Sequence, residues 1–113
     1  MRILIVDDDR NIRNLLVDFF GPRGHQVTSS ANGSEALETM SRTPIDLVIS
    51  DIRMPVMDGA TLLREIRKAY PGVRVALMTG YYKEPERAIS LGADYFIEKP
   101  FSISQILAVV EGS

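Results

Sequence analysis

Acidic, hydroxyl and amine residues stand where short apolar runs end. Asp7, Asp8 and Asp9 follow Ile3–Val6, and Asp51 follows the run Asp46–Ser50. Thr79 closes the run that begins at Val73, and Lys99 comes soon after Tyr95–Ile97. Taken singly, each has an ordinary explanation, since aspartates fill turns and cap helices. Taken together they suggest chemistry. Three clustered carboxylates repel, and at least one resists ionising unless a cation joins them. Counting Asp7, Asp8 and Asp51 as -3 and Lys99 as +1 leaves -2, which one divalent cation would neutralise. All the ligands are hard oxygens, which favours Mg²⁺ over zinc or copper. Mg²⁺ takes few protein ligands, keeps waters and binds phosphate oxygens. A carboxylate, a hydroxyl and an ammonium around such an ion suit phosphoryl transfer, where positioning and charge neutralisation do most of the catalysis. An aspartate can itself be the nucleophile and form an acyl phosphate.

The elements that must position these residues alternate five times between strand and helix. Ile3–Val6, Asp46–Ser50 and Val73–Met78 are nearly continuous apolar runs, as expected of strands covered on both faces. Gln26–Ser29 and Tyr95–Ile97 read as the two edge strands. Helical spacing links Ile12, Leu15, Leu16 and Phe19, then Ala36, Leu37 and Met40, then Leu62, Leu63 and Ile66, and finally Ile103, Ile106, Leu107 and Val110. Asp9, then Asn32 or Ser34, then Asp58 are candidate N-caps, and Ser102 with Gln105 forms a capping-box signature. The last helix is expected to end around Val110. The alternation predicts an α/β fold: a doubly wound, five-stranded parallel sheet of (βα)5 type in the flavodoxin-like order 2-1-3-4-5. Ligands of such sheets bind beyond the carboxyl ends of the strands, where the order reverses. That edge is where Asp7, Asp8, Asp51, Thr79 and Lys99 belong.

The 113 residues read as one domain spanning 1–113, with 45% apolar and 25% charged residues, an ordinary globular balance. No run is long enough to cross a membrane. The absence of cysteine excludes disulfides, zinc–thiolate sites and thiol catalysis, and fits the cytoplasm. A net charge of -2 argues against a nucleic-acid footprint. The one histidine, His25, is expected at the surface far from the carboxyl edge, and Met54 and Met57 are expected to pack.

Ile5–Asp9, the segment Asp51-Ile52-Arg53-Met54-Pro55-Val56-Met57-Asp58-Gly59, Met78-Thr79-Gly80, Gly92–Phe96 and Lys99-Pro100-Phe101 resemble, in order and along the whole chain, the receiver domain of two-component response regulators. The resemblance implies that Asp51 is the phosphoacceptor, loaded by a sensor histidine kinase or histidine phosphotransfer protein. It implies that Asp8, Asp51 and the backbone carbonyl of Arg53 bind Mg²⁺ directly, with Mn²⁺ a possible substitute, and that Asp7 acts through a metal-bound water. Lys99 would pair with the phosphoryl oxygens. Thr79 would hydrogen-bond the phosphoryl group, and Phe96 would turn inward as the switch aromatic. Gly80 would leave room for the phosphoryl group, and the Lys99–Pro100 bond would be cis. An output domain or effector protein is implied downstream.

One spacing departs from the family pattern. Lys99 follows Thr79 by 20 residues, short by about two residues, or half a helical turn. With Pro85 tolerated only near a helix start, the fourth helix is expected to be short and mobile, from about Glu84 to Leu91, with a reshaped output face. Tyr81 sits two residues past Thr79 and is expected to shield the phosphoryl group from water. Three rival readings are weaker. A haloacid-dehalogenase-type phosphatase would want Thr or Val where Asn11 stands. A flavodoxin would need a hydroxyl-rich loop where this chain is acidic. A phosphorylation-independent interaction module has no use for the intact set Asp7, Asp8, Asp51, Thr79 and Lys99.

Overall fold

A computed structural model describes residues 1–80 and 92–112. The elements are β1 (Arg2–Val6), α1 (Arg10–Phe20), a 3-10 turn (Gly21–Arg23), β2 (Gln26–Ser30), α2 (Gly33–Arg42), β3 (Leu47–Asp51), α3 (Gly59–Ala69), β4 (Arg74–Thr79), β5 (Tyr95–Glu98) and a C-terminal helix, α4 (Ile103–Glu111). The helix expected over 84–91 and Tyr81 lie outside the described residues. The five strands pair in parallel in the order β2-β1-β3-β4-β5, as the sequence predicts.

Alternation along the strands builds two cores, because successive side chains leave opposite faces of a sheet. Leu4, Val6, Val48, Val75 and Leu77 face α2 and α3, meeting Ala36, Met40, Leu62, Leu63 and Ile66. Ile3, Ile5, Leu47, Ile49, Ala76 and Met78 face α1 and α4, meeting Leu16, Phe20, Ile106 and Val110. Each fully buried Leu or Ile contributes about 1.5–3 kcal/mol. These two apolar layers hold the sheet rigid, and so hold the residues at its carboxyl edge.

The caps fall where the sequence places them. Asp9 accepts from the Asn11 amide, Asn32 rather than Ser34 accepts from the Glu35 amide, and Asp58 accepts from the Thr61 amide. Ser102 and Gln105 form the full capping box. The α1 face differs from the expected one. Leu15 is 50% exposed and Phe20 is buried instead. The cause is geometric: Leu15 stands about 100° around the helix from Leu16, while Phe20 stacks one turn above it. Asp46 also falls outside β3. Its carboxylate takes the Arg2 guanidinium in a two-pronged pair and the Arg2 amide, tying β1 to β3 at the amino edge.

Candidate functional site

The β1–α1 connection is three residues long and turns at once, because Asp9 caps α1. Asp7 is therefore the first residue past β1 and is fully buried. Asp51 is the last residue of β3 rather than the residue after it, and it is nearly buried. Thr79 ends β4, buried, and Lys99 follows β5. The parallel register puts all four at one edge.

Carboxylate oxygens of Asp7, Asp8 and Asp51 lie within 4.8 Å of one another. The Lys99 ammonium donates to Asp7 Oδ2 at 2.9 Å and to Asp51 Oδ2 at 3.2 Å. Asp7 Oδ1 accepts from the Asp9 amide at 2.9 Å. Asp8 is exposed, and its carboxylate has no hydrogen-bond partner among the described residues. Asp9 stays out of the cluster because its own carboxylate is spent on the cap. Burial pushes the Asp51 carboxyl above its ordinary range, and the neighbouring Asp7 charge adds to this. Lys99 and a backbone hydrogen bond from Arg53 pull the other way without cancelling it. Burial opposes the charge on Lys99, but Asp7 and Asp51 outweigh it and raise its ammonium above the usual value.

The cluster is braced by the main chain. The Lys99 amide donates to the Thr79 carbonyl at 2.6 Å, and the Lys99–Pro100 bond is cis. The Ser50 hydroxyl donates to the Asp51 carbonyl at 2.9 Å. Arg53, expected to lend its carbonyl, stands exposed two residues beyond Asp51. Phe96 is half-buried beside the α2–α3 core, paired across the sheet with Leu77. Ile12, Leu15, Gly80, Lys99, Pro100 and Phe101 line an open groove beside the site. His25 lies at the opposite edge, bonded to Glu111, as its expected remoteness requires.

Two residues were not singled out by sequence reading. Gly59 opens α3 so close to β3 that a β-carbon there would collide with the Asp51 carbonyl oxygen and sit 2.8 Å from Ile52 Cα. By contrast, a β-carbon at Gly80 meets open space. Arg13, one turn into α1, folds back to donate to the Asp7 carbonyl at 2.7 Å. Nothing in its spacing separates it from an ordinary surface arginine.

The family model described as "Response regulator receiver domain" matches residues 3–111. The chain is 40% identical to the sensor kinase CckA of Brucella abortus over 96% of its length. It is 38% identical to the DNA-binding transcriptional regulator NtrC of Escherichia coli over 96%, and 37% identical to sporulation initiation phosphotransferase F of Bacillus subtilis over 97%. It spans only 12% of the first and 24% of the second, but 90% of the third. The response regulator TrrA of Thermotoga maritima, solved in complex with Mg²⁺ and BeF, superposes with a TM-score of 0.89 at 35% identity, covering 98% of this chain and 96% of that one. A CheY-like receiver protein of Methanospirillum hungatei superposes at 0.90 with 31% identity, covering 98% and 90%. Fold, acidic cluster and relatives agree, and the chain belongs to the receiver domains of two-component response regulators.

Proposed function

We propose that this domain is a phosphorylation-controlled switch in a phosphorelay, with Asp51 as acceptor. The observation that carries the reading is the meeting of three carboxylates and the Lys99 ammonium at the carboxyl edge of the sheet. A carboxylate oxygen of Asp51 attacks the phosphorus of a phosphohistidine on a sensor histidine kinase or phosphotransfer protein. The new O–P bond replaces the P–N bond, and the departing imidazole takes up a proton. Lys99, already on Asp51 Oδ2, moves to the phosphoryl oxygens and offsets their charge.

The donor set fits Mg²⁺: all oxygens, mutually close, with no nitrogen or sulfur ligand and an uncompensated negative charge. Asp8, Asp51 and the Arg53 carbonyl would hold it, with Asp7 acting through water and Mn²⁺ able to replace it. When bound it neutralises the phosphoryl and carboxylate charges that otherwise repel. Thr79, at the end of β4, hydrogen-bonds the acquired phosphoryl group, and Phe96 moves further inward in response. Phosphorylation thereby favours an arrangement already accessible to the protein, and an output domain or effector protein reads it. The domain assists its own phosphorylation and dephosphorylation without turning over a separate substrate. No direct contact with nucleic acid or membrane is needed. Among the described residues no helix is long and apolar enough to span a bilayer.

Intact mass after incubation with a small phosphodonor and Mg²⁺ tests the reading. One phosphoryl adduct on the wild type, lost in Asp51→Asn and without metal, is expected. An adduct that survives in Asp51→Asn removes Asp51 as acceptor, and no adduct on the wild type favours the phosphorylation-independent module.

A further inference from the structure

Asp7 and Asp8 sit side by side but are held very differently. Every polar group of Asp7 is engaged. Its amide donates to the Ser30 carbonyl at 3.2 Å, and its two carboxylate oxygens take the Asp9 amide and Lys99. Its carbonyl takes Arg13 at 2.7 Å. Asp8 has none of these restraints on its carboxylate and is exposed. Its orientation is set through the backbone. The carbonyl of Asp7 and the amide nitrogen of Asp8 belong to one planar peptide unit. A bond that fixes the Asp7 carbonyl therefore fixes the plane from which Asp8 departs.

From this geometry we infer that Arg13 is a positioning residue for cation binding: it orients Asp8 by clamping the Asp7–Asp8 peptide from the first turns of α1. The inference rests on the metal-site reading of Asp7, Asp8 and Asp51. Arg13 is well placed for the task. Its own amide donates to the Asp9 carbonyl at 3.1 Å, so its stem rises from a capped, ordered helix start. Arg13 is a half-buried residue, and its guanidinium reaches back to the Asp7 carbonyl. Groups one shell removed from a metal commonly change its affinity by 10–100-fold, because they set where the ligands point.

The sign of the effect separates positioning from simple electrostatics. Arg13 carries a positive charge near a cation site. If charge were its whole contribution, removing it would deepen the negative potential and tighten cation binding. If orientation dominates, removing it weakens binding. Arg13→Met keeps the apolar stem and deletes the donor. Arg13→Lys keeps a donor within reach of the carbonyl.

The measurement is Mg²⁺ affinity of the unphosphorylated protein by titration calorimetry, with the Asp9 and Asp8 amide signals followed by NMR. For Arg13→Met the dissociation constant should rise about tenfold, and the Asp8 and Asp9 amides should shift before any metal is added. Arg13→Lys should recover most of the wild-type affinity. Should Arg13→Met not fold, Arg13→Gln, too short to reach the carbonyl, is read in the same way. Unchanged or tighter Mg²⁺ binding in a folded donor-less variant overturns the inference, even if that variant melts earlier. A wild type that binds no Mg²⁺ overturns the metal-site reading, and this inference with it.

Discussion

Gly59 shows how one missing atom shapes the surroundings of Asp51. Asp58 caps α3, the Gly59 amide donates to the Ile52 carbonyl at 2.8 Å, and the helix starts directly against the end of β3. A methyl group at 59 would meet the Asp51 carbonyl, which is also the acceptor of the Ser50 hydroxyl. Gly59→Ala should therefore cost about 1–3 kcal/mol, as overpacking usually does, and should slow phosphorylation by displacing Asp51. Urea unfolding combined with the adduct assay checks this. Full stability with a normal rate would mean that β3 and α3 separate freely. Val56 carries a different stress. It is 83% exposed and sits at φ 71, an unfavourable region for a β-branched residue. The Met57 amide bonds back to the Pro55 carbonyl around it, closing a γ-turn just beyond Arg53.

The elements are fastened at the amino edge by charged contacts, far from Asp51. Glu111, in the last turn of α4, accepts from the Arg23 guanidinium through both oxygens and from His25 Nε2. The Arg23 and His25 hydrogen bonds hold its carboxyl down from 4.5 to about 2. Arg2 does the same for Asp46, from 3.8 to about 2. A depressed carboxyl stabilises the fold above its unfolded value and loses that contribution as pH falls towards the folded one. The melting temperature of Glu111→Gln should thus lie below that of the wild type at neutral pH, with the gap closing between the ordinary glutamate range and about 2. Arg23 and Glu111 are exposed and His25 only half-buried, so the gap should be small and should shrink with added salt. A gap that stays constant across that range would assign the loss to packing of α4 instead of charge.

At the scale of the whole molecule, the two cores hold a site that does not favour its own ionised state. Burial and Asp7 raise the Asp51 carboxyl. For a raised carboxyl the sign is opposite to that of Glu111: the folded state is penalised above the ordinary value of 3.8, where the unfolded chain is already ionised. Metal-free Asp51→Asn should accordingly unfold at higher temperature than the wild type at neutral pH, and the advantage should vanish below the ordinary carboxylate range. If the cluster holds Mg²⁺ as proposed, the ion should then stabilise the wild type more than the mutant, which has lost one of the three carboxylates. Thermal unfolding at two pH values, with and without Mg²⁺, checks both signs. A mutant less stable than the wild type without metal would show that the Lys99 pairing outweighs the repulsion.

Much of this was written in the sequence. Short unbroken apolar runs such as Ile3–Val6 and Leu47–Ile49 fit strands covered on both faces, and alternating them with amphipathic stretches leaves few topologies. Asp9, Asp58 and the Ser102–Gln105 pair act within one helical turn, so local sequence suffices to place them. The candidate site was legible for the same reason, since strand ends deliver Asp7, Asp51, Thr79 and Lys99 to one edge. The burial of Phe20 in place of Leu15, the close approach of Gly59 to Asp51, and the reach of Arg13 to the Asp7 carbonyl belong to the tertiary structure alone. Each depends on the rotation of a helix about its axis or its distance from a strand. Those are set by packing between segments far apart in the chain, and no local pattern encodes them.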